Sequence, residues 1–359
     1  MAQINKPNTY FNTVLWTGDG SNPRSITGVG FQPDLVWLKT RSLTGQAHQW
    51  VDVVRGYGTS AMNTIYSNQT VAEESDESNT GLTVAYGNIQ SLNSDGFTVD
   101  SGISSSAQTN QSSATYASWN WKANGTGVSN TDGTITSTVS ASTTSGFSIV
   151  SYTGNSSSAT VGHGLGVAPK MIIIKHRNDV DDWTCYHASL GSSQRIQLNS
   201  TGAASALSWG GDPTSSVFYL LGGGATAVNV TGGTYIAYCF AEKKGFSKFG
   251  SYVGNGSTDG NFVYTGFKPA WVMVKNTSLA GESWVMLDNK RDPKNPTNLA
   301  LFANLSNAEG GTYPFDFVSN GFKIRDSSAS YNRSGDTFIY MAFAENPLVG
   351  TNNIPTTAR

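Results

Sequence analysis

The sequence predicts an all-β protein made of three tandem β-sandwich domains of the jelly-roll or immunoglobulin-like kind, and three observations predict it. A ten-residue pattern recurs along the 359 residues at Gly30 to Lys39, Gly166 to Lys175 and Gly266 to Lys275, with Gly, Pro and Lys in identical places. Gly (40 residues), Ser, Thr and Asn are abundant and only 13% of residues are charged, a composition of short strands joined by tight turns. Each copy also closes on a strand with large apolar residues at alternate positions: Tyr116 to Trp121, Tyr235 to Phe240 and Phe338 to Phe343.

The elements follow in order. An aromatic residue and a Gly-polar turn come first, at Trp16-Thr17-Gly18, Tyr152-Thr153-Gly154 and Tyr252-Val253-Gly254, and read as a strand running into a turn. In the ten-residue pattern, Pro33, Pro169 or Pro269 stands at the start of an unbroken apolar run. Proline suits the first residue of a strand, and the run predicts a central strand buried on both faces, with Lys39, Lys175 or Lys275 marking its exit to water. A tryptophan about ten residues later, Trp50, Trp183 or Trp284, reads as a packed core residue. Asp95-Gly96 and Asn320-Gly321 then predict type I′ hairpin turns, with Val217-Phe218-Tyr219-Leu220 as the looser counterpart in the second copy. In the closing strands, alternation points the aromatic face inward.

These spacings divide the chain into an N-terminal segment (1–9), a first repeat (10–124), a Ser/Thr/Gly linker (125–145), a second repeat (146–243), a third (244–346) and a C-terminal tail (347–359). The polar linker predicts a first copy that is displaceable, and the join Lys243-Lys244-Gly245 predicts a rigid pair of second and third copies. The acidic run Glu73, Glu74, Asp76, Glu77 reads as a solvated loop.

A formal net charge of −2 lacks the basic footprint that nucleic acid requires. No signal-peptide pattern opens the chain and no apolar stretch reaches a membrane span, so neither secretion by that route nor membrane insertion is expected. Cys185 and Cys239 are too few for a disulfide framework and read as free thiols made in a reducing cytoplasm. Of the four histidines, His48, His163, His176 and His187, only His176 and His187 group with a cysteine, Cys185, and that group lacks a fourth metal ligand at standard spacing. Asp19, Asp132 and Asp259 sit in turns without the distal Glu of a hard-cation loop. Gly222-Gly223-Gly224 and Gly232-Gly233 read as turns, with no helix-forming segment expected after them to make a phosphate cradle. No nucleophile elbow or Cys/His signature is present. The reading assigns no catalytic, cofactor-binding or metal residue, and expects no enzyme and no cofactor.

The G-F-x-P-apolar-K strand, the aromatic-Thr-Gly turn and the closing Phe343-Ala344-Glu345-Asn346-Pro347 together resemble an uncharacterised β-rich domain of structural proteins in tailed bacteriophages, especially marine and cyanobacterial ones. The resemblance implies a virion component, a tail fibre or tail appendage. It also implies assembly as a homo-oligomer, a trimer or sixfold-related copies, with other tail proteins as partners and a host surface glycan as a further one. Alternatives are a glycan-binding receptor-recognition module, a capsid decoration protein and a polysaccharide depolymerase with carboxylates on distant strands.

Overall fold

The computed structural model describes residues 3–58, 61–74, 85–223 and 226–349; Asp76, Glu77 and the tail from Gly350 onward lie outside the described residues. In the first copy the strands are β1 (Phe11–Thr17), β2 (Arg24–Thr27), β3 (Leu35–Thr40), β4 (Gln49–Asp52), β5 (Ile65–Tyr66), β6 (Asn88–Asn93), β7 (Gly96–Asp100) and β8 (Thr115–Trp121). Between the closing strand of the first copy and the opening strand of the second come β9 (Val128–Asn130) and β10 (Ser137–Ser142). The second copy holds β11 (Phe147–Thr153), β12 (Ala159–Gly162), β13 (Met171–His176), β14 (Thr184–His187), β15 (Gln194–Gln197), β16 (Ser205–Ala206), β17 (Val217–Leu220) and β18 (Thr234–Phe240). The third holds β19 (Ser247–Val253), β20 (Phe262–Tyr264), β21 (Phe267–Asn276), β22 (Val285–Asp288), β23 (Leu301–Phe302), β24 (Phe315–Val318), β25 (Gly321–Ile324) and β26 (Thr337–Pro347).

The all-β class holds, and the copies share one strand order. A large antiparallel sheet runs β1-β8-β3-β4-β5 in the first copy and β19-β26-β21-β22-β23 in the third, and the same arrangement sits inside the eight-stranded sheet of the second. Smaller sheets, β2-β7-β6, β12-β17 and β20-β25-β24, accompany them. The unbroken apolar runs are central strands, as their sequence requires. Along β3, Leu35 and Trp37 enter one core while Val36 and Leu38 enter another. Met171 and Ile173 part from Ile172 and Ile174 in the same way, as do Trp271 and Met273 from Val272 and Val274.

One of the two cores belongs to each copy alone and fills the space between its large and small sheets. The other is common to all three copies. Leu35, Trp37, Trp50, Trp119 and Trp121 meet Ile173, Trp183, Tyr238 and Phe240 and also Trp271, Met273, Trp284 and Phe343 in one cluster. The equivalent last aromatics of the closing strands touch pairwise at its centre: Trp121 to Phe240 at 6.3 Å, Trp121 to Phe343 at 5.6 Å and Phe240 to Phe343 at 6.1 Å between ring centroids. Three sheets therefore close head to tail around a pseudo-threefold axis. From the N-terminal segment, Ile4 joins the common core and its N–H donates to Lys244 O (3.1 Å).

Several expectations are corrected by this closure. The segment 125–145 is no linker: β10 pairs along β11 and β9 along β10, extending the second sheet. Its alternating Ser/Thr and Val residues suit an edge ribbon, which composition alone reads as flexible. Nor is the first copy displaceable, because it packs into the common core and bonds to both neighbours. Asp95 and Asn320 lack the positive φ of a type I′ turn, since Ser113 and Ser156 are the non-glycine residues with that conformation among the described residues. Glycine is needed beside them for close approach instead: a Cβ on Gly96 would stand 1.9 Å from Ile26 O, and one on Gly321 2.1 Å from Val263 O.

A core shared by three sheets predicts a single cooperative unfolding transition, with tryptophan fluorescence and far-ultraviolet circular dichroism coincident on heating. Trp121→Ala is expected to lower the stability of the whole chain by about 3–5 kcal/mol without separating a first-copy transition.

Candidate functional site

Backbone and side-chain hydrogen bonds join each copy to the next. The loop after β5 lies on the second copy, the segment after β15 on the third, and the loop after β23 on the first. At each seam a backbone N–H of the loop meets a carbonyl just beyond the central strand: Glu73 N to Arg177 O (2.6 Å), Ala204 N to Thr277 O (2.9 Å) and Glu309 N to Arg41 O (2.6 Å). The lysine ending each central strand is buried, which corrects the expected exit to water. Lys175 donates to Thr70 O at 3.0 Å, Lys275 to Thr201 O at 3.4 Å and Lys39 to Ser306 O at 3.4 Å, all carbonyls of the neighbouring copy. Burial pushes the Lys39 ammonium down to about 7 and those of Lys175 and Lys275 to about 8.

Two of the seams carry an Arg–Glu–Arg chain. Arg55, itself paired with Asp52, reaches Glu73 (3.1 Å), and Glu73 reaches Arg177 of the second copy (2.6 Å). Arg291, paired with Asp288, reaches Glu309 (2.8 Å), and Glu309 reaches Arg41 of the first copy (2.7 Å). Glu73 thus departs from the solvated loop expected of it, as does Glu74, which accepts from Tyr66 Oη at 2.7 Å. At the remaining seam Leu190, Ala204 and Thr277 occupy the corresponding places. The expected rigid pairing of second and third copies is therefore the seam without this ion chain.

The tryptophan register also needs correction. Trp183 Nε1 donates to Tyr66 O (2.9 Å) and Trp284 Nε1 to Gln197 O (2.9 Å), each across a seam, while their own N–H groups bond Asn199 and Asn304. In the first copy His48 holds that position: its N–H bonds Asn68 Oδ1, and its Nε2 lies 3.2 Å from Leu305 O. Trp50 pairs with Trp37 and so corresponds to Cys185 and Met286, two residues further on. A histidine and a tryptophan that each reach a carbonyl of the neighbouring copy look unrelated in sequence.

The histidine–cysteine group does not converge. Cys185 lies in the common core, His187 sits at the start of β13 opposite Met171, and His176 stacks on Tyr235 at its far end (4.5 Å). Both thiols are free and buried, and burial pushes both upward in pKa. Among the turn acids, Asp19 accepts from Ser21 and Asn110, and Asp259 pairs with Lys323 (2.7 Å). A one-turn helix, Thr226–Asn229, does follow the glycines at 222 and 223, contrary to the sequence reading.

That helix ends on one of three residues the sequence reading missed. Asn110, Asn229 and Asn332 are buried, and their Oδ1 atoms accept from Asp19 N (3.3 Å), Asn155 N (2.9 Å) and Asn255 N (3.1 Å). Each holds the aromatic-Gly turn against the approach to its closing strand. The signal was a fixed distance: each asparagine stands six residues before Tyr116, Tyr235 or Phe338, the rings that stack on Trp16, Tyr152 and Tyr252 at 5.1–5.2 Å.

Two grooves open at the ends of the seams. One, of about 330 Å³, lies between the N-terminal segment, β1 and the third copy, and includes Lys6, Phe11, Thr13, Asn289, Lys290 and Glu345. The other, of about 520 Å³, lies between second and third copies and includes Lys170, Glu242, Lys243 and Tyr264.

Substituting Glu309→Gln breaks the ion chain between third and first copies and is expected to cost about 1–3 kcal/mol in urea denaturation. The buried lysines set a pH dependence. Folded Lys39 gives up its proton near pH 7 and unfolded lysine near 10.5, so the unfolded chain binds more protons between these values and stability rises with pH across them. Lys39→Met is expected to flatten that rise, measured by thermal melts from pH 7 to 9, below the range in which ordinary tyrosines ionise.

No curated protein and no solved structure matches the chain. One family match covers residues 6–347, all three copies together with the approach to the first, and the chain belongs to that family, described as a domain of unknown function (DUF7483).

Proposed function

We propose that this protein is a non-enzymatic structural component of a tailed-bacteriophage virion, a tail fibre or tail appendage contributing to assembly and host attachment. The observation that carries the reading is where the ionisable groups are spent. Asp52, Arg55, Asp288, Arg291 and the three strand-end lysines are buried in ion pairs or seam hydrogen bonds, so they hold copies together instead of facing a substrate. A closed ring with a common core is a stiff body suited to an exposed particle surface. Its pseudo-threefold outline also offers three similar faces to a threefold or sixfold partner, as a homotrimer would. The motif resemblance supports the same reading. Other tail proteins and further copies of this chain are the proposed partners, and neither nucleic acid nor a membrane has a part in it.

The test is location. Labelled antibody against the chain, viewed on intact particles, is expected to mark the tail, and the purified protein is expected to form a defined oligomer or to co-sediment with tail proteins. A monomer without affinity for any virion protein would overturn the reading. Marking of the head surface instead would replace it with a capsid decoration role.

A further inference from the structure

The third copy leaves open an edge that the second copy keeps covered. Strands β1, β11 and β19 are equivalent, since Phe11, Phe147 and Ser247 face Trp121, Phe240 and Phe343. Along β11 lies β10, paired from Thr138 to Ser142, and just before it Ile135 bridges Val161 of β12, so one segment covers the edges of both sheets of that copy. Ile135 and Val139 turn into the core of the second copy. The polar groups of the segment settle on β12: Thr134 N donates to Thr160 Oγ1 (2.9 Å) and Ser137 Oγ to Gly162 O (2.9 Å). In the third copy β19 ends the large sheet and β20 ends the small one, with no further strand on either among the described residues. Gly254 N–H donates to Asp336 O and Ala344 N–H to Phe246 O, so alternation turns the N–H and C=O of Phe249 and Ser251 away from β26. The side chains at this edge differ as well. Thr160 and Gly162, which the covering segment touches, correspond to Phe262 and Tyr264, and Thr153 corresponds to Val253. Phe262, Tyr264 and Val253 are 47%, 57% and 56% exposed, whereas the first copy has Ser25, Thr27 and Thr17 in those places.

We infer that the open edge of the third copy docks an extended segment of a partner protein, which adds to β19 as a strand and lays apolar side chains across Phe262 and Tyr264. Outward N–H and C=O groups on an edge strand are a template for main-chain pairing, and apolar residues beside them select the side chains of the incoming strand. The covering segment of the second copy defines the chemistry of the occupant: small polar residues with an aliphatic one at every fourth place, as in Ile135-Thr136-Ser137-Thr138-Val139. Where that segment sets Thr134 against Thr160, the partner sets an apolar residue against Phe262. The first copy does not offer the same site, because its edge side chains are polar and Asn12 Nδ2 on β1 donates to Val29 O (3.0 Å). The inference is independent of the virion reading, since pairing is measured on the purified chain.

The probe is a fluorescently labelled peptide of residues 133–142 carrying Thr134→Leu, titrated with the full chain and read by polarisation beside the unsubstituted and a scrambled peptide. Saturable binding is expected, roughly fivefold weaker without the leucine and lost on scrambling. Ser251→Pro removes one outward N–H from a strand edge, where proline is tolerated, and is expected to weaken binding about tenfold at an unchanged melting temperature. Phe262→Ser with Tyr264→Thr, the residues of the first copy, is expected to abolish the advantage of the leucine and leave the melting temperature in place. Absence of binding by the Thr134→Leu peptide would overturn the site. Binding that Ser251→Pro leaves unchanged would put the peptide on β11 in exchange for β10 and would overturn it too. A dimer of the chain alone that Ser251→Pro dissociates, read by sedimentation, would give the edge to a second copy and overturn the separate partner.

Discussion

Strands β3, β13 and β21 bury both faces, and a strand of that kind needs a cover on each side. The small sheet of each copy supplies one cover. Nothing within the copy supplies the other, because the face bearing Trp37, Ile173 or Trp271 is as apolar as the face turned to the small sheet. Among the described residues the comparable surfaces are the same faces of the other two copies, so three large sheets turn inward and cover one another. From this follow the ring, the position of Trp121, Phe240 and Phe343 at its centre, and the use of Ile4 as a further contributor to the common core.

Closing such a ring places loop backbone against strand ends, away from water, and the carbonyls there must find donors. Lys39, Lys175 and Lys275 provide them, at the expense of desolvating an ammonium, which is why their proton affinities fall. The seams solve the remaining electrostatics differently. Those made by the first copy use Arg–Glu–Arg chains, in which each carboxylate is shared by two guanidinium groups. The seam between second and third copies lacks the chain and is instead bridged by the covalent join at 243–245, where chain connectivity already keeps the partners close.

Much of the fold was legible because its signals were local. The proline-led apolar run names a central strand without reference to anything distant, and alternation in the closing strand names its aromatic face. What lay across that face was not legible, since the pattern for packing on a sheet of the same copy is the pattern for packing on another copy. Lys39 shows the limit plainly: a lysine after an apolar run reads as an exit to water, and only the neighbouring loop makes it a donor inside a seam. The acidic Glu73 was misread for the same reason, its partner Arg177 being 104 residues away. His48 was hidden because a histidine there and a tryptophan in the other copies each reach a carbonyl of the neighbouring copy, a likeness of role that residue type conceals. At the groove, Thr13 gave no sequence signal, because a threonine in a strand is ordinary until its neighbours prove apolar.

The covalent fusion of the three copies has a consequence for how such a molecule changes over time. In an assembly of identical subunits a substitution is repeated at every corner, so a hydroxyl placed against the common core would be placed there three times over. Here Thr13, opposite Trp119, stands once in a place that Ile149, opposite Tyr238, and Phe249, opposite Met341, keep filled at the other corners. One corner tolerates a buried hydroxyl because two others still hold the ring shut.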